Sequence, residues 1–162
     1  MNFNVRRARQ EDSEAIGRMH VASIRELCGG HYGAGEIEAW ARPREAESYV
    51  KAIERKEFYV AEAGAEIIGF GTLNQANGEV EAVYVHPAAF GRGVGSKLLS
   101  TLEESARASG SKSLHLCASL NAVGFYERAG FVRLRETSHR LANGVEIACV
   151  LMSKELWEEI VS

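Results

Sequence analysis

The chain is short of cysteine, has no strong charge excess and contains no long apolar run. Its three cysteines, Cys28, Cys117 and Cys149, are an odd number at spacings that suggest no disulfide framework. A scaffold built on disulfides is therefore excluded, and a reducing compartment is the simplest reading. Cys117 and Cys149 stand in apolar runs, where a free thiol packs as a small buried hydrophobe. The formal net charge is −3, with lysine and arginine scattered rather than striped. Nothing global then favours nucleic acid or an anionic membrane, which leaves only a local basic pocket for a small anion. No apolar run approaches the ~20 residues of a membrane span. The opening "MNFNVRRARQ" carries charge with no apolar stretch behind it, so no signal peptide and a cytoplasmic location are expected. The histidines (His20, His31, His86, His115, His139) show no H-x-x-x-H spacing and no cysteine pair joins them, so no metal is expected. Repeats, linkers and low-complexity tracts are missing too.

What is present is ordinary globular composition, 46% hydrophobic and 25% charged over 162 residues. That length fits one domain with a real core, expected to run over 1–162. A strand is expected at Phe3–Ala8, then a helix from Ser13 to about Leu27 with Asp12 as N-cap. Two short helical pieces follow, about Glu36–Ala41 and Arg44–Arg55, split by Pro43. "EFYVAEA" and "EIIGFGTL" read as strands around a turn at Gly64. Asn77-Gly78 is a strong hairpin signal and leads into the alternating strand "EVEAVYV". After a glycine-rich loop, a helix from about Gly95 to Ser109 carries Leu98, Leu99, Leu102 and Ala106 on one face, with Gly110 closing it. "SLHLCA" reads as a buried strand and "NAVGFYERAG" as a short helix. "FVRLRE" and "VEIACVLMS" pair around Asn143-Gly144. The expected fold is mixed α/β (α+β), with a mostly antiparallel central sheet of about seven strands flanked by helices. "CGGHYGAGEIEAW" (Cys28–Trp40) reads equally as a mobile aromatic lid or as a plain helix connection with Trp40 on the core. Met19 and Met152 read as core.

One stretch, "VEAVYVHPAAFGRGVGSKLL", sets glycines at 91, 93 and 95 between a strand and a helix. The first N–H groups of a helix have no partners within it. Glycines let those groups converge and let an anion approach without meeting a Cβ. A tight turn without ligand would need a single glycine. The Walker A spacing fails, because Lys97 follows Ser96 and precedes Leu98. The Rossmann spacing fails as well, with Leu98 or Ser96 where the third glycine belongs.

With these residues the sequence resembles the GNAT acetyltransferase superfamily, whose acetyl-CoA pyrophosphate loop reads [QR]-x-x-G-x-[GA]. Phe90, Gly91, Arg92, Gly93, Val94 and Gly95 hold the matching positions, with Phe90 where Gln or Arg is usual and Arg92 as a compensating cation. Ser96 completes the helix start. "SLNAVGFYERAGF" resembles the family's N-x-x-A-x-x-F-Y-x-x-x-G-F. Ser119 takes the first position and Asn121 lies two residues later; either suits a hydrogen bond to pantetheine or phosphate. The resemblance is strong from about Glu79 to Phe131 and weak before residue 56. It implies acetyl-CoA as cosubstrate, no metal, a small-molecule or peptide amine acceptor, and a possible homodimer.

The implied chemistry assigns three tasks. An alkylamine of pKa near 10.4 is about one part in a few thousand neutral at pH 7, so a base is needed. Glu81 is the candidate, directly or through water, and Glu79, on the same face by period-two counting, is the runner-up. Backbone N–H groups near Val83–Val85 are implied donors to the oxyanion. Tyr126 is implied as general acid toward the thiolate, with Phe125 beside it in the core. Cys117, without an adjacent base, and His115 are expected to be structural. The same residues also suit a non-catalytic acyl-CoA-binding or regulatory module.

Overall fold

A computed structural model describes residues 2–156; Met1 and 157–162, the ends of the expected domain, lie outside the described residues. The alternating and β-branched runs form strands β1 (Asn4–Arg7), β2 (Glu57–Ala63), β3 (Glu66–Asn74), β4 (Glu79–Val85), β5 (Ser113–Ser119), β6 (Val132–Arg140) and β7 (Glu146–Glu155). They make one seven-stranded sheet in the order β1-β2-β3-β4-β5-β7-β6. The helices among the described residues are α1 (Ser13–Leu27), α2 (Ala34–Trp40), α3 (Ala46–Arg55), α4 (Val94–Ala108) and α5 (Val123–Arg128). All strand neighbours are antiparallel except β4 and β5, which run parallel. The mixed, mostly antiparallel sheet read from the sequence is the observed architecture.

Helices cover both faces. Ile16, Met19 and Tyr49 of α1 and α3 pack on Phe58, Val60 and Phe70 of β2 and β3. On the other face the α4 stripe of Leu98, Leu99, Leu102 and Ala106 is buried, at no more than 2% exposure. It meets Leu73, Val80, Leu114, Leu116 and Met152 from the sheet, and Tyr126 and Phe131 from around α5. Each such leucine contributes roughly 1.5–3 kcal/mol through burial. Helix α4 can approach closely because β3 has bare backbone beneath it. A Cβ on Gly69 would stand 3.0 Å from the Leu98 and Val94 side chains and the Tyr84 carbonyl, and one on Gly71 would stand 3.2 Å from Leu102.

Two local expectations are corrected. Asp12 does not cap α1. Its carboxylate accepts the Arg9 N–H at 2.7 Å and pairs with Arg6 at 2.8 Å, and a short 3-10 turn, Gln10–Asp12, precedes the helix. Strict alternation also fails in β4. Thr72 pairs with Ala82 and Leu73 with Val80, so Glu81 is an extra, bulged residue and period-two counting cannot place it beside Glu79.

The feature that positions the site is the β4–β5 junction. Only Glu79 and His115 are paired there, with the His115 N–H donating to the Gly78 carbonyl at 3.1 Å. Beyond that pair the strands part, and the sheet opens toward the C-terminal ends of both.

Candidate active site

The glycine loop follows directly from β4. The chain leaves the strand at His86, whose Nδ1 accepts the Ala88 N–H at 3.0 Å, and turns through Pro87–Ala89. Gly91 and Gly93 then take φ values of +80° and +83°, with nothing within 4 Å of where a Cβ would stand. These are left-handed conformations that favour glycine. Gly93 is the residue before the first turn of α4. The first N–H of that region with an acceptor is Lys97, which bonds the Gly93 carbonyl at 3.1 Å. None of the N–H groups from Gly91 to Ser96 has an acceptor among the described residues. A left-handed glycine turn, an open space and a row of free amides at a helix N-terminus fit a diphosphate. Val94 is buried and anchors the turn, Arg92 stands on its rim, and Phe90 is 68% exposed. Gly95 lets α4 lie against Phe125 and Val85, 3.3 and 3.5 Å from the position of a Cβ.

The exposed edge of β4 supplies more backbone donors. His86 donates its N–H to Ile68 of β3 at 2.8 Å, and Tyr84 lies opposite Phe70. Alternation along an antiparallel pair then turns the N–H groups of Val83 and Val85 away from β3, toward the gap left by β5.

A cavity of about 420 Å³ runs through that gap, with Val83, Ser119 and Tyr126 among its lining residues. Tyr126 is 6% exposed and sits edge-on to Phe125 and Phe131. Its hydroxyl has no hydrogen-bond partner among the described residues, and burial pushes its pKa up, so it remains a neutral donor. The expectation that Phe125 fills the core beside it is reversed in degree: Tyr126 is the buried ring, and Phe125 is half-buried against Gly95. Glu79 and Glu81 both line the cavity. The Glu81 carboxylate is engaged by Lys56 Nζ, whereas that of Glu79 has no side-chain partner among the described residues. Ser119 lines the cavity; Asn121 does not, and its amide faces the Cys28 thiol with Oδ1 buried and unpartnered.

The far wall was not legible in the sequence as a site. His20 of α1 is 6% exposed, and its Nδ1 lies 2.9 Å from the Tyr49 hydroxyl of α3. Burial pushes its pKa down to about 3, with Arg44 acting in the same direction. Its ring stands 4.4 Å from Tyr84 and 5.2 Å from Phe70 between centroids. The signal for His20 was its helical spacing, since Ile16, Met19 and His20 share the inner face of α1.

Cys117 corrects the expectation of buried packing. It is exposed and lines the cavity, because the parting of β4 from β5 uncovers its strand, while Cys149 is buried and pushed up to about 12. In the Cys28–Trp40 segment, read equally as a lid or a helix connection, Tyr32 is held at both ends of its hydroxyl and Trp40 lines the cavity. The Tyr32 hydroxyl donates to the Ala148 carbonyl at 2.6 Å and accepts the Leu120 N–H at 2.9 Å, and Trp40 packs edge-on to Tyr32. Among the described residues no cluster of metal-ligating side chains forms, and no helix is long and apolar enough to cross a membrane.

The family model for an acetyltransferase (GNAT) domain matches residues 28–156. No curated protein matches the sequence. Among solved structures, a GCN5-related N-acetyltransferase from Rhodopseudomonas palustris superposes with a TM-score of 0.90 at 29% identity, over 96% of this chain and 97% of that one. The PaiA N-acetyltransferase from Thermoplasma acidophilum, solved with coenzyme A, gives 0.78 at 24% identity over 96% and 100%. A phosphinothricin acetyltransferase from Sinorhizobium meliloti, solved with acetyl-CoA, gives 0.74 at 18% identity over 100% and 92%.

Proposed function

The chain belongs to the GNAT acetyltransferase family, and from that premise we propose that it transfers the acetyl group of acetyl-CoA to a primary amine of a small molecule or peptide. The observation that carries this reading is the run of free N–H groups from Gly91 to Ser96, set beside a gap in the sheet. Acetyl-CoA supplies an activated acyl thioester.

This chain's residues do the rest. The Gly91–Ser96 amides and the α4 dipole hold the diphosphate, with Arg92 adding charge. The N–H groups of Val83 and Val85 are fixed donors for the negative charge that develops on the carbonyl oxygen, and they need no reorganisation. The β4 carboxylates, Glu81 with Glu79 beside the same cavity, take the proton of the incoming ammonium directly or through water. The Tyr126 hydroxyl holds a proton for the departing sulfur. Burial raises its pKa, and the same dry surroundings raise the basicity of a thiolate next to it. Ser119, on the cavity wall, is positioned to hydrogen-bond the pantetheine arm.

The test is thiol release from acetyl-CoA over a panel of amines, with the acetylated amine identified by mass. Release matched by product is the expected result. Saturable binding of acetyl-CoA with no release over any amine would leave a binding module instead of an enzyme.

A further inference from the structure

The acceptor end of the cavity holds a cation, Arg44, that the transfer chemistry does not use. Resting on the reading of this cavity as an acceptor site, we infer that the acceptor is a zwitterion: an amino acid-like molecule whose carboxylate is held by Arg44 while its ammonium is drawn to Glu79. The charged side chains on the wall are Arg44, Lys56, Glu79 and Glu81, with the titratable His139 at an exposed position. Lys56 and Glu81 neutralise each other. The charged ends of Arg44 and Glu79 have no ion-pair or hydrogen-bond partner among the described residues. One unpaired cation, at an exposed position, and one unpaired anion, half-buried, thus line the same cavity.

The surface around them is aromatic. Phe58 and Phe70 stack at 5.4 Å, and His20 and Tyr84 continue the layer. His20 adds a second polar point. It is neutral and buried, and its Nε2 has no partner among the described residues. In the tautomer whose Nδ1 accepts the Tyr49 hydroxyl proton across the 2.9 Å contact, the ring proton sits on Nε2 and is a further donor for the same carboxylate. A buried donor without a partner is costly, so a ligand oxygen there gains the full hydrogen bond. A polyamine would set its second ammonium against Arg44 and Lys56. A simple alkylamine would leave Arg44 uncompensated, and a peptide N-terminus brings a neutral carbonyl where the carboxylate belongs.

The experiment uses the full chain saturated with coenzyme A. Calorimetry measures binding of protein amino acids and short ω-amino acids, each beside its amide or decarboxylated analogue, with spermidine as the polycation. Acetyl transfer to the same panel is followed in parallel. At least one zwitterion should bind about tenfold or more tightly than its matched analogue, the effect of one charge-assisted contact. Arg44→Gln should bring that pair to near parity, while Arg42→Gln, outside the cavity wall, should keep the preference. The inference is overturned if no zwitterion binds, if amides, plain amines or spermidine bind as well, or if Arg44→Gln leaves the discrimination intact. Zwitterion binding that depends on Arg44 but gives no acetyl transfer would uphold the cavity as a zwitterion site, overturn its ligand's role as acceptor and count against the transferase reading.

Discussion

The two halves of the proposed site are built from different materials. The half proposed for the cofactor is made of backbone: the amides of Gly91–Ser96 and the N–H groups of Val83 and Val85, all from the one stretch that runs from β4 into α4. The half proposed for the acceptor is made of side chains that line the cavity: His20 from α1, Arg44 from the α2–α3 connection, Tyr49 from α3, Phe70 from β3 and Tyr84 from β4. Backbone recognition requires a particular local conformation, and so leaves glycines at fixed spacing. Side-chain recognition draws on residues that meet only after folding, and it leaves no local motif.

The largest expected effect falls on the backbone end. Gly93→Val forces a β-branched residue into a φ of +83° at the mouth of the amide row. Relief of about 1–3 kcal/mol of strain draws the free loop out of that conformation, and restoring it on binding costs up to about a hundredfold in acetyl-CoA affinity, read by calorimetry. Unchanged affinity in a folded variant would remove the loop from the cofactor site. Next comes Tyr126→Phe, which should lower kcat about tenfold or more with little change in KM. An unaltered rate in a chemistry-limited assay would make Tyr126 a packing residue only. Glu81→Gln should cost about tenfold near pH 7, and the deficit should shrink as pH approaches the pKa of the amine near 10.4. A deficit constant across pH would exclude Glu81 as the proton acceptor.

The acceptor end gives smaller effects, and they appear in stability. His20 takes a proton at about 6.5 in the unfolded chain but holds none until about 3 in the folded one. Unfolding therefore takes up a proton below pH 6.5, and stability falls with acidification by up to about 1.4 kcal/mol per pH unit. Denaturant melts from pH 6.5 to 5 should show that slope, and His20→Asn should flatten it. Equal slopes would mean that His20 titrates in the folded state. Tyr32→Phe, which removes a hydroxyl bonded to both Ala148 and Leu120, should cost about 1–2 kcal/mol and leave cofactor affinity unchanged. A change in that affinity would tie the wall to the cofactor end.

The same difference explains what could be read before folding. Strand β2 and the Asn77-Gly78 turn follow from local patterns, as does the α4 stripe, and the structure places them where those patterns put them. Glu81 could not be placed by counting, because the bulge is a property of its pairing with β3. Cys117 looked buried because its neighbours in sequence are apolar, but its exposure depends on a strand that fails to pair with its own. The Tyr32 anchor joins residues far apart in the chain, so glycines around it suggested motion equally with packing. Arg44 carried no signal, since an arginine beside a proline is unremarkable until the fold turns it toward a cavity.

The most direct measurement is an amide-resolved NMR titration of the protein with coenzyme A. The account predicts saturable shifts concentrated at the N–H groups of Gly91 to Ser96 and at Val83 and Val85. Saturable binding that leaves those amides unmoved, or no binding at all, would contradict it.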